Sequence, residues 1–265
     1  MHKKPKKSLG QNFLADKNVL NKIVSACNFS LRDTVLEIGS GKGELTRLVA
    51  ERTKKVYAVE IDKDLKDSFN NNLAEFRDRV KLINKDIIKV DLRELFGKGE
   101  AKIRVAGNIP YYITTPIIEY LLTYRSLIQD VFLTVQKEFA RRVISPAGSK
   151  EYGALTCFIQ YYAQAKILFS IKKGSFYPVP KVDSSLLHLV FRSCPAVDAQ
   201  DPKLFFKLIR SAFNQRRKTL VNSLRRIVPD GRLESFFREY DIDRKIRPER
   251  LTLQDFANLA NSLKK

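Results

Sequence analysis

Apolar residues in the first two-thirds of the chain follow two periods that alternate. From Asp16 to Asn28 leucine, isoleucine and valine recur at helical spacing, and the Asp16 carboxylate stands where it can cap the first turn. Thr34–Ile38 is a short apolar run, the pattern of a strand covered on both faces, and Glu44–Arg52 returns to the helical period. The exchange continues with a strand at Lys55–Ile61, a helix at Lys63–Phe76, and short strands at Val80–Ile83 and Ile103–Ala106 separated by Asp86–Phe96. A helix at Thr115–Tyr124, an extended run at Val131–Val135 and a helix at Lys137–Ile144 follow. Such alternation predicts an α/β fold, a doubly wound and mostly parallel sheet with helices on both faces. Lys166–Ile171 and Ser184–Arg192 read as two strands joined by a proline-rich loop, which predicts an antiparallel edge.

Ser193–Asp201 is rich in turn residues and has little periodicity, and beyond it the pattern is helical only. Asp201 before Pro202 is a strong helix start, and Thr252 with Asp255 resembles a capping box. Two domains are expected, residues 1–193 and a small all-helical one at 194–265. There is no internal repeat and no low-complexity tract beyond the lysine-rich start.

Composition narrows the class. The chain has 265 residues, 44% of them hydrophobic with 17 Phe, enough for a core without disulfide or metal staples. Cys27, Cys157 and Cys194 are odd in number and widely spaced, which fits a reducing compartment and argues against structural zinc. His2 and His188 form no metal or triad pattern, and His188, in a strand-like run, reads as a packed residue. No apolar stretch approaches the roughly 20 residues that span a bilayer, and no apolar segment follows the basic start. A cytoplasmic monomer with no membrane partner and no metal is expected. The formal net charge of +20 is spread along the chain and points to a polyanionic partner, nucleic acid before membrane.

Residues 34–46 carry the strongest local signal: an apolar strand runs into Gly39-Ser40-Gly41-Lys42-Gly43 and then a helix. Glycines there permit a tight turn and let a ligand lie against the backbone. Glu60, at the end of the next strand, is placed to accept from both ribose hydroxyls of a nucleoside. The glycine spacing is tighter than that of dinucleotide sites, and Glu37 before the turn suits an ammonium or sulfonium. S-adenosylmethionine is the expected cofactor, NAD the alternative, and a turn that binds nothing the bland one.

Ile103–Ala106 ends in Gly107-Asn108-Ile109-Pro110-Tyr111-Tyr112, the Asn-x-Pro-aromatic pattern of enzymes that methylate exocyclic amines of bases. The N6 lone pair of adenine is delocalised into the ring. It is freed by acceptors that hold the two N–H groups, which the Asn108 side-chain carbonyl and the Pro110 backbone carbonyl can do. Tyr111 or Tyr112 can stack on the base. Towards the other end, Arg216, Arg217, Lys218, Arg225 and Arg226 gather five cations in one short stretch, suited to phosphate oxygens.

With these residues assembled, the chain resembles the bacterial small-subunit rRNA adenine dimethyltransferases, the KsgA family, over nearly its whole length. The matching segments are residues 7–14 (Lys-Ser-Leu-Gly-Gln-Asn-Phe-Leu), 36–43, 108–111, 135–138, 176–184 (Phe-Tyr-Pro-Val-Pro-Lys-Val-Asp-Ser) and 212–220 (Ala-Phe-Asn-Gln-Arg-Arg-Lys-Thr-Leu). The resemblance implies a Rossmann-like class I methyltransferase fold. It also implies transfer of four methyl groups from S-adenosylmethionine to N6 of two adjacent adenosines in the 3′-terminal hairpin of 16S rRNA, within a late assembly particle of the small ribosomal subunit. Carried over by motif, Asn12 and Leu14 would close over the cofactor, Gly39 would lie against it, Glu60 would hold its ribose and Asp86 would accept from its adenine amine. Asn108 would touch both cofactor and target amine, and Phe176 is a candidate second stacking face. Ser40 where proline is common and Tyr112 where asparagine is frequent are departures that leave open which aromatic stacks. The N-terminal Lys3, Lys4, Lys6 and Lys7 are expected to be mobile until RNA binds. Two competing readings are a large-subunit rRNA methyltransferase of the macrolide-resistance type and a non-catalytic RNA-binding assembly factor that keeps the fold.

Overall fold

The computed structural model describes residues 5–97, 101–215 and 218–263. His2, Lys3, Lys4, Arg216 and Arg217 lie outside the described residues. In chain order the elements are β1 (Phe13–Leu14), α1 (Lys17–Cys27), β2 (Thr34–Ile38), α2 (Glu44–Ala50), β3 (Lys55–Val59), α3 (Lys66–Asn72), β4 (Val80–Ile83), α4 (Leu92–Phe96), β5 (Ile103–Asn108), α5 (Thr114–Thr123), β6 (Ile128–Gln136), α6 (Lys137–Ile144), α7 (Ala154–Tyr162), β7 (Ala163–Ile171), β8 (Phe176–Tyr177), β9 (Ser184–Phe191), α8 (Pro202–Phe213), α9 (Leu220–Leu224), α10 (Asp230–Glu239) and α11 (Leu253–Ser262).

Seven strands form one sheet in the order β4-β3-β2-β5-β6-β9-β7. The pairs β3–β4, β2–β3, β2–β5 and β5–β6 are parallel, and β9 runs antiparallel to β6. Strand alternation sends neighbouring side chains to opposite layers. Val35, Val56, Ala106 and Phe132 pack with Leu20, Ile23 and Val24 of α1 and Val49 of α2. Tyr57, next to Val56, meets Phe96 of α4 edge-on at 4.9 Å on the other face. The doubly wound sheet with an antiparallel edge is therefore as the periodicity implies.

Strand order reverses between β2 and β5, so a crevice opens at their carboxyl ends. The two backbones approach very closely there. A Cβ on Gly107 would fall 2.5 Å from the Ile38 carbonyl oxygen, and one on Gly39, at φ +74°, would fall 3.2 Å from that of Asn108. At the opposite end of β5, buried Arg104 donates to both Asp130 oxygens, at 2.8 and 2.7 Å, and to the carbonyls of Cys27 and Asn28 that end α1. His188 stacks on Phe132 at 4.2 Å and bonds Asp130 at 3.2 Å, a packed residue as expected.

The chain divides into two compact units, residues 1–140 with 166–191, and 141–165 with 192–265. The boundary expected at residue 193 is thus corrected in one respect: 141–165 belongs with the helical unit. Tyr152, Cys157 and Tyr161 are buried in one cluster with Phe205, Leu208, Phe236 and Phe256. Within this unit Asp201 caps α8 by accepting from the amides of Lys203 and Leu204, and Thr252 and Asp255 cap α11 reciprocally. The periodicity missed α7, whose residues Ala-Leu-Thr-Cys-Phe-Ile-Gln-Tyr-Tyr show no sharp polar face. The helix expected over Lys63–Phe76 is instead α3 between two single turns, its end weakened by the poor helix formers Asn70, Asn71 and Asn72.

Gly107→Ala tests the close approach of β2 and β5. The expected outcome is a loss of about 1–3 kcal/mol, as for overpacking elsewhere, read as a lowered denaturant midpoint. An unchanged midpoint would show that the two strand ends can separate freely.

Candidate active site

The crevice at the carboxyl ends of β2 and β5 is a cavity of about 920 Å³, counting its open mouth. Its walls bring together residues 9–13, the Gly39–Gly41 turn, Glu60, Asp86 and the Asn108–Ile113 segment, all from the first compact unit. Among the described residues there is no cluster of three or more metal-ligating side chains, and no helix is long and apolar enough to cross a membrane.

The glycine turn is stitched to the protein by its own amides. Gly39 and Ser40 donate to the Val59 carbonyl, at 2.9 and 3.3 Å, and Gly43 donates to Ser40. Gly41 donates to Glu60 Oε2 at 2.9 Å, while Asp62 donates its amide to Oε1 at 2.8 Å. These N–H groups are consumed internally and do not form the open cradle that a pyrophosphate needs. The Glu60 carboxylate is instead braced from two sides, with lone pairs left for hydroxyl donors. Burial raises its pKa, and the two amides act against that rise.

Glu37 is the second carboxylate of the site. It is buried, lines a small side cavity with Leu14, Gly39, Ser40 and Asn108, and its Oε2 has no hydrogen-bond partner. Burial pushes it up to about 8, Thr46 acting against the rise and the Glu44 and Glu60 carboxylates adding to it. Ionising a buried carboxyl with an unpartnered oxygen is costly unless a cation completes it. With the Gly39, Ser40, Gly41 and Gly43 amides already bonded and the Glu37 and Glu60 carboxylates at hand, the turn favours a cationic nucleoside over a dinucleotide.

Asn108 ends β5. Its Nδ2 donates to the Asn12 carbonyl at 2.8 Å, which fixes the amide plane and its orientation. No described residue donates to its Oδ1. The Pro110 carbonyl accepts only a long bond, 3.3 Å, from the Ile113 amide. The Tyr111 hydroxyl is tied to Ser184 Oγ at 2.6 Å, and burial raises its pKa. Tyr112 is 63% exposed, its ring beside Gly10. Both tyrosines line the cavity. Ile61, Ile87 and Ile88 form an apolar wall beside Asp86, whose Oδ1 accepts from the Ile88 amide at 3.2 Å.

The sequence alone missed what holds the N-terminal segment across this cavity. Lys6 Nζ lies 2.6 Å from Asp62 Oδ1 and 2.7 Å from Asp64 Oδ2, and Gln11 Nε2 donates to Asp62 Oδ2 at 2.8 Å. Burial by itself would raise the Asp62 carboxyl, but Lys6, Gln11 and the Asp64 amide hold it below the ordinary range. The mobility expected of Lys6 and Lys7 is therefore corrected: Lys6 is ion-paired and Lys7 opens a single helical turn. Only the acidic doublet Asp62 and Asp64 hinted at a basic partner.

Phe176 also departs from expectation. It is 2% exposed, packed with Leu14 in the core, because β8 turns Phe176 inward and Tyr177 outward. It does not present a stacking face in this arrangement. Asn12, Leu14, Gly39, Glu60, Asp86, Asn108, Pro110, Tyr111 and Tyr112 are gathered at the crevice and its side cavity. Lys218, Arg225 and Arg226 are exposed beside α9 in the helical unit.

A family model described as ribosomal RNA adenine dimethylase matches residues 2–265. A "Ribosomal RNA small subunit methyltransferase A" of Clostridium botulinum is 43% identical over 258 residues, covering 97% of this chain and 93% of that protein. One of Geobacillus thermodenitrificans is 42% identical, covering 97% and 90%. Among solved structures, a dimethyladenosine transferase from Plasmodium falciparum is 26% identical with a TM-score of 0.78, covering 93% of this chain and 95% of that one. The 23S rRNA methyltransferase ErmE is 24% identical with a TM-score of 0.73, covering 96% and 100%, a likeness of fold.

The buried Glu37 makes the stability of the fold depend on pH. Its pKa rises from an ordinary 4.5 to about 8 on folding, so the ligand-free fold loses stability as pH rises between those values and levels off above 8. Glu37→Gln removes that slope. Its thermal midpoint is expected to gain on that of the native chain between pH 5 and 8.5, and a pH-independent difference would show that Glu37 ionises freely.

Proposed function

The chain belongs to the ribosomal RNA adenine dimethylase family, and on that premise we propose that it transfers methyl groups to N6 of two adjacent adenosines in the 3′-terminal hairpin of 16S rRNA. The observation that carries this reading is the Asn108 amide: its nitrogen is held by the Asn12 carbonyl and its oxygen is left open at the crevice.

The site fits S-adenosylmethionine. The unpartnered Glu37 oxygen suits a cationic group, the bare backbone at Gly39 allows close approach, the braced Glu60 carboxylate suits two ribose hydroxyls, and Asp86 beside the isoleucine wall suits an adenine edge. When bound, S-adenosylmethionine supplies an electrophilic methyl group on a positively charged sulfur. The protein's part is orientation. Asn108 Oδ1 and the Pro110 carbonyl accept from the two N–H groups of the target amine, which localises its lone pair on nitrogen. Tyr111, anchored through its hydroxyl to Ser184, offers a positioned ring to the base. The residues of the 9–13 segment cover the site and exclude water.

Substrate grip falls to the positive surface. Lys218, Arg225 and Arg226, with Arg216 and Arg217 of the same run, supply phosphate contacts in the helical domain, which we read as RNA-binding. We place the protein in the cytoplasm as a monomer acting on a late small-subunit particle.

Incubation with undermethylated small subunits and labelled S-adenosylmethionine, followed by mass spectrometry of the rRNA, is expected to show dimethyladenosine at the two 16S positions. Label in 23S rRNA instead would assign the large-subunit reaction, and no saturable cofactor binding by calorimetry would leave a scaffold. Asn108→Ala is expected to cut turnover at least about a hundredfold, as for loss of an oriented polar group at a transition state, with the fold intact. Near-native turnover removes Asn108 from the mechanism.

A further inference from the structure

The two residues of β8 face opposite ways, and the outward one stands beside the active site. β1 and β8 pair antiparallel with Leu14 opposite Phe176 and Phe13 opposite Tyr177. Directly opposed residues share a face, their Cβ atoms about 5 Å apart. Phe13 lines the crevice, and its ring lies 3.2 Å from where a Cβ on Gly41 would be. Tyr177 therefore leaves the backbone on the same face as a wall of the site, yet it is 64% exposed. The chain that follows keeps this character: Val179, between Pro178 and Pro180, and Val182, after Lys181, are exposed apolar residues. Lys173 and Lys181 are exposed as well, while Lys172 lies 3.7 Å from Asp183.

We propose that Tyr177 is a stacking platform for the unpaired nucleotide that flanks the target adenosine, with Lys173 and Lys181 on the adjoining phosphates. An adenosine presented at the crevice is out of its stack, so its neighbour in the strand loses a stacking partner. An aromatic face outside the pocket, one strand pairing away from Phe13, replaces that partner. Aromatic residues interleaved with cations are the footprint of single-stranded nucleic acid, and the net charge of +20 favours RNA over an apolar protein surface. Phe176 is turned into the core, so of the two β8 residues Tyr177 alone offers an exposed ring. The assignment rests on the rRNA reading above and adds a nucleotide subsite to it.

The experiment compares the native protein with Tyr177→Ala and Tyr177→Phe. Binding is measured to a short unpaired RNA that carries the target adenosine and 2-aminopurine at the flanking position, at several salt concentrations. Methylation of undermethylated small subunits is measured in parallel. Tyr177→Ala is expected to weaken RNA binding about tenfold or more and to abolish quenching of the 2-aminopurine, with affinity for S-adenosylmethionine unchanged. Tyr177→Phe is expected to behave as native. Native-like binding by the alanine variant overturns the proposal, as does an equal loss in the phenylalanine variant, which would point to the hydroxyl. A loss confined to assembled subunits overturns it in favour of a protein contact. If the native protein methylates subunits while Tyr177→Ala matches it in every readout, the subsite alone falls. Absence of methylation by the native protein strikes the function itself, while the fluorescence arm still decides Tyr177.

Discussion

At the carboxyl edge of the sheet, β2 and β5 run closer than any side chain between them would allow. A Cβ on Gly107 would stand 2.5 Å from the Ile38 carbonyl oxygen, and the turn at Gly39 faces the Asn108 carbonyl across a similarly narrow gap. This approach brings the glycine turn after β2 and the Asn108 segment after β5 out of the sheet side by side. It occurs where strand order reverses, the one place in a doubly wound sheet where two neighbouring loops diverge and leave a crevice. The chemistry of the site depends on that geometry: a ligand held by the first loop can meet a base held by the second.

Polar groups around the crevice are arranged by what they have already given away. The amides of Gly39, Ser40 and Gly41 are donated to Val59 and Glu60, which takes three donors away from an anion. The carboxylates keep capacity in return, with Glu60 braced and Glu37 holding an oxygen without a partner. Hydroxyls and cations are thereby favoured, and diphosphates are not. Asp62 joins this arrangement to the N-terminal segment, since it binds Lys6 and Gln11 through its side chain and Glu60 through its amide. The segment over the site and the Glu60 carboxylate are thus parts of one hydrogen-bonded network, within which loss of one member leaves buried partners exposed to the full cost of desolvation.

The helical unit has a separate core, built from Phe205, Phe236 and Phe256 with the buried tyrosines and cysteine of 152–161. Lys218 precedes the short helix α9, Arg225 ends it and Arg226 follows it, all three exposed.

Much of this could be read along the chain. The strands and most helices follow from apolar period, the caps at Asp16, Asp201 and Thr252 from single residues at helix starts, and Gly39, Glu60 and Asn108 from their places at strand ends. All are local matters, settled by forces that act over a few residues. Other features needed the tertiary structure. Lys6 and Asp62 are 56 positions apart, and their pairing exists only once β3 places the loop under the N-terminal segment. Whether Phe176 or Tyr177 faces outward is set by the parity of pairing with β1, since a slip of one residue exchanges the two faces. The fate of 141–165 was decided by which core buried its aromatics, and the unpartnered oxygen of Glu37 by how completely the fold closes around it. Periodicity and turn chemistry determine which elements form. The register of their pairing and the burial of their polar groups arise only when distant segments meet.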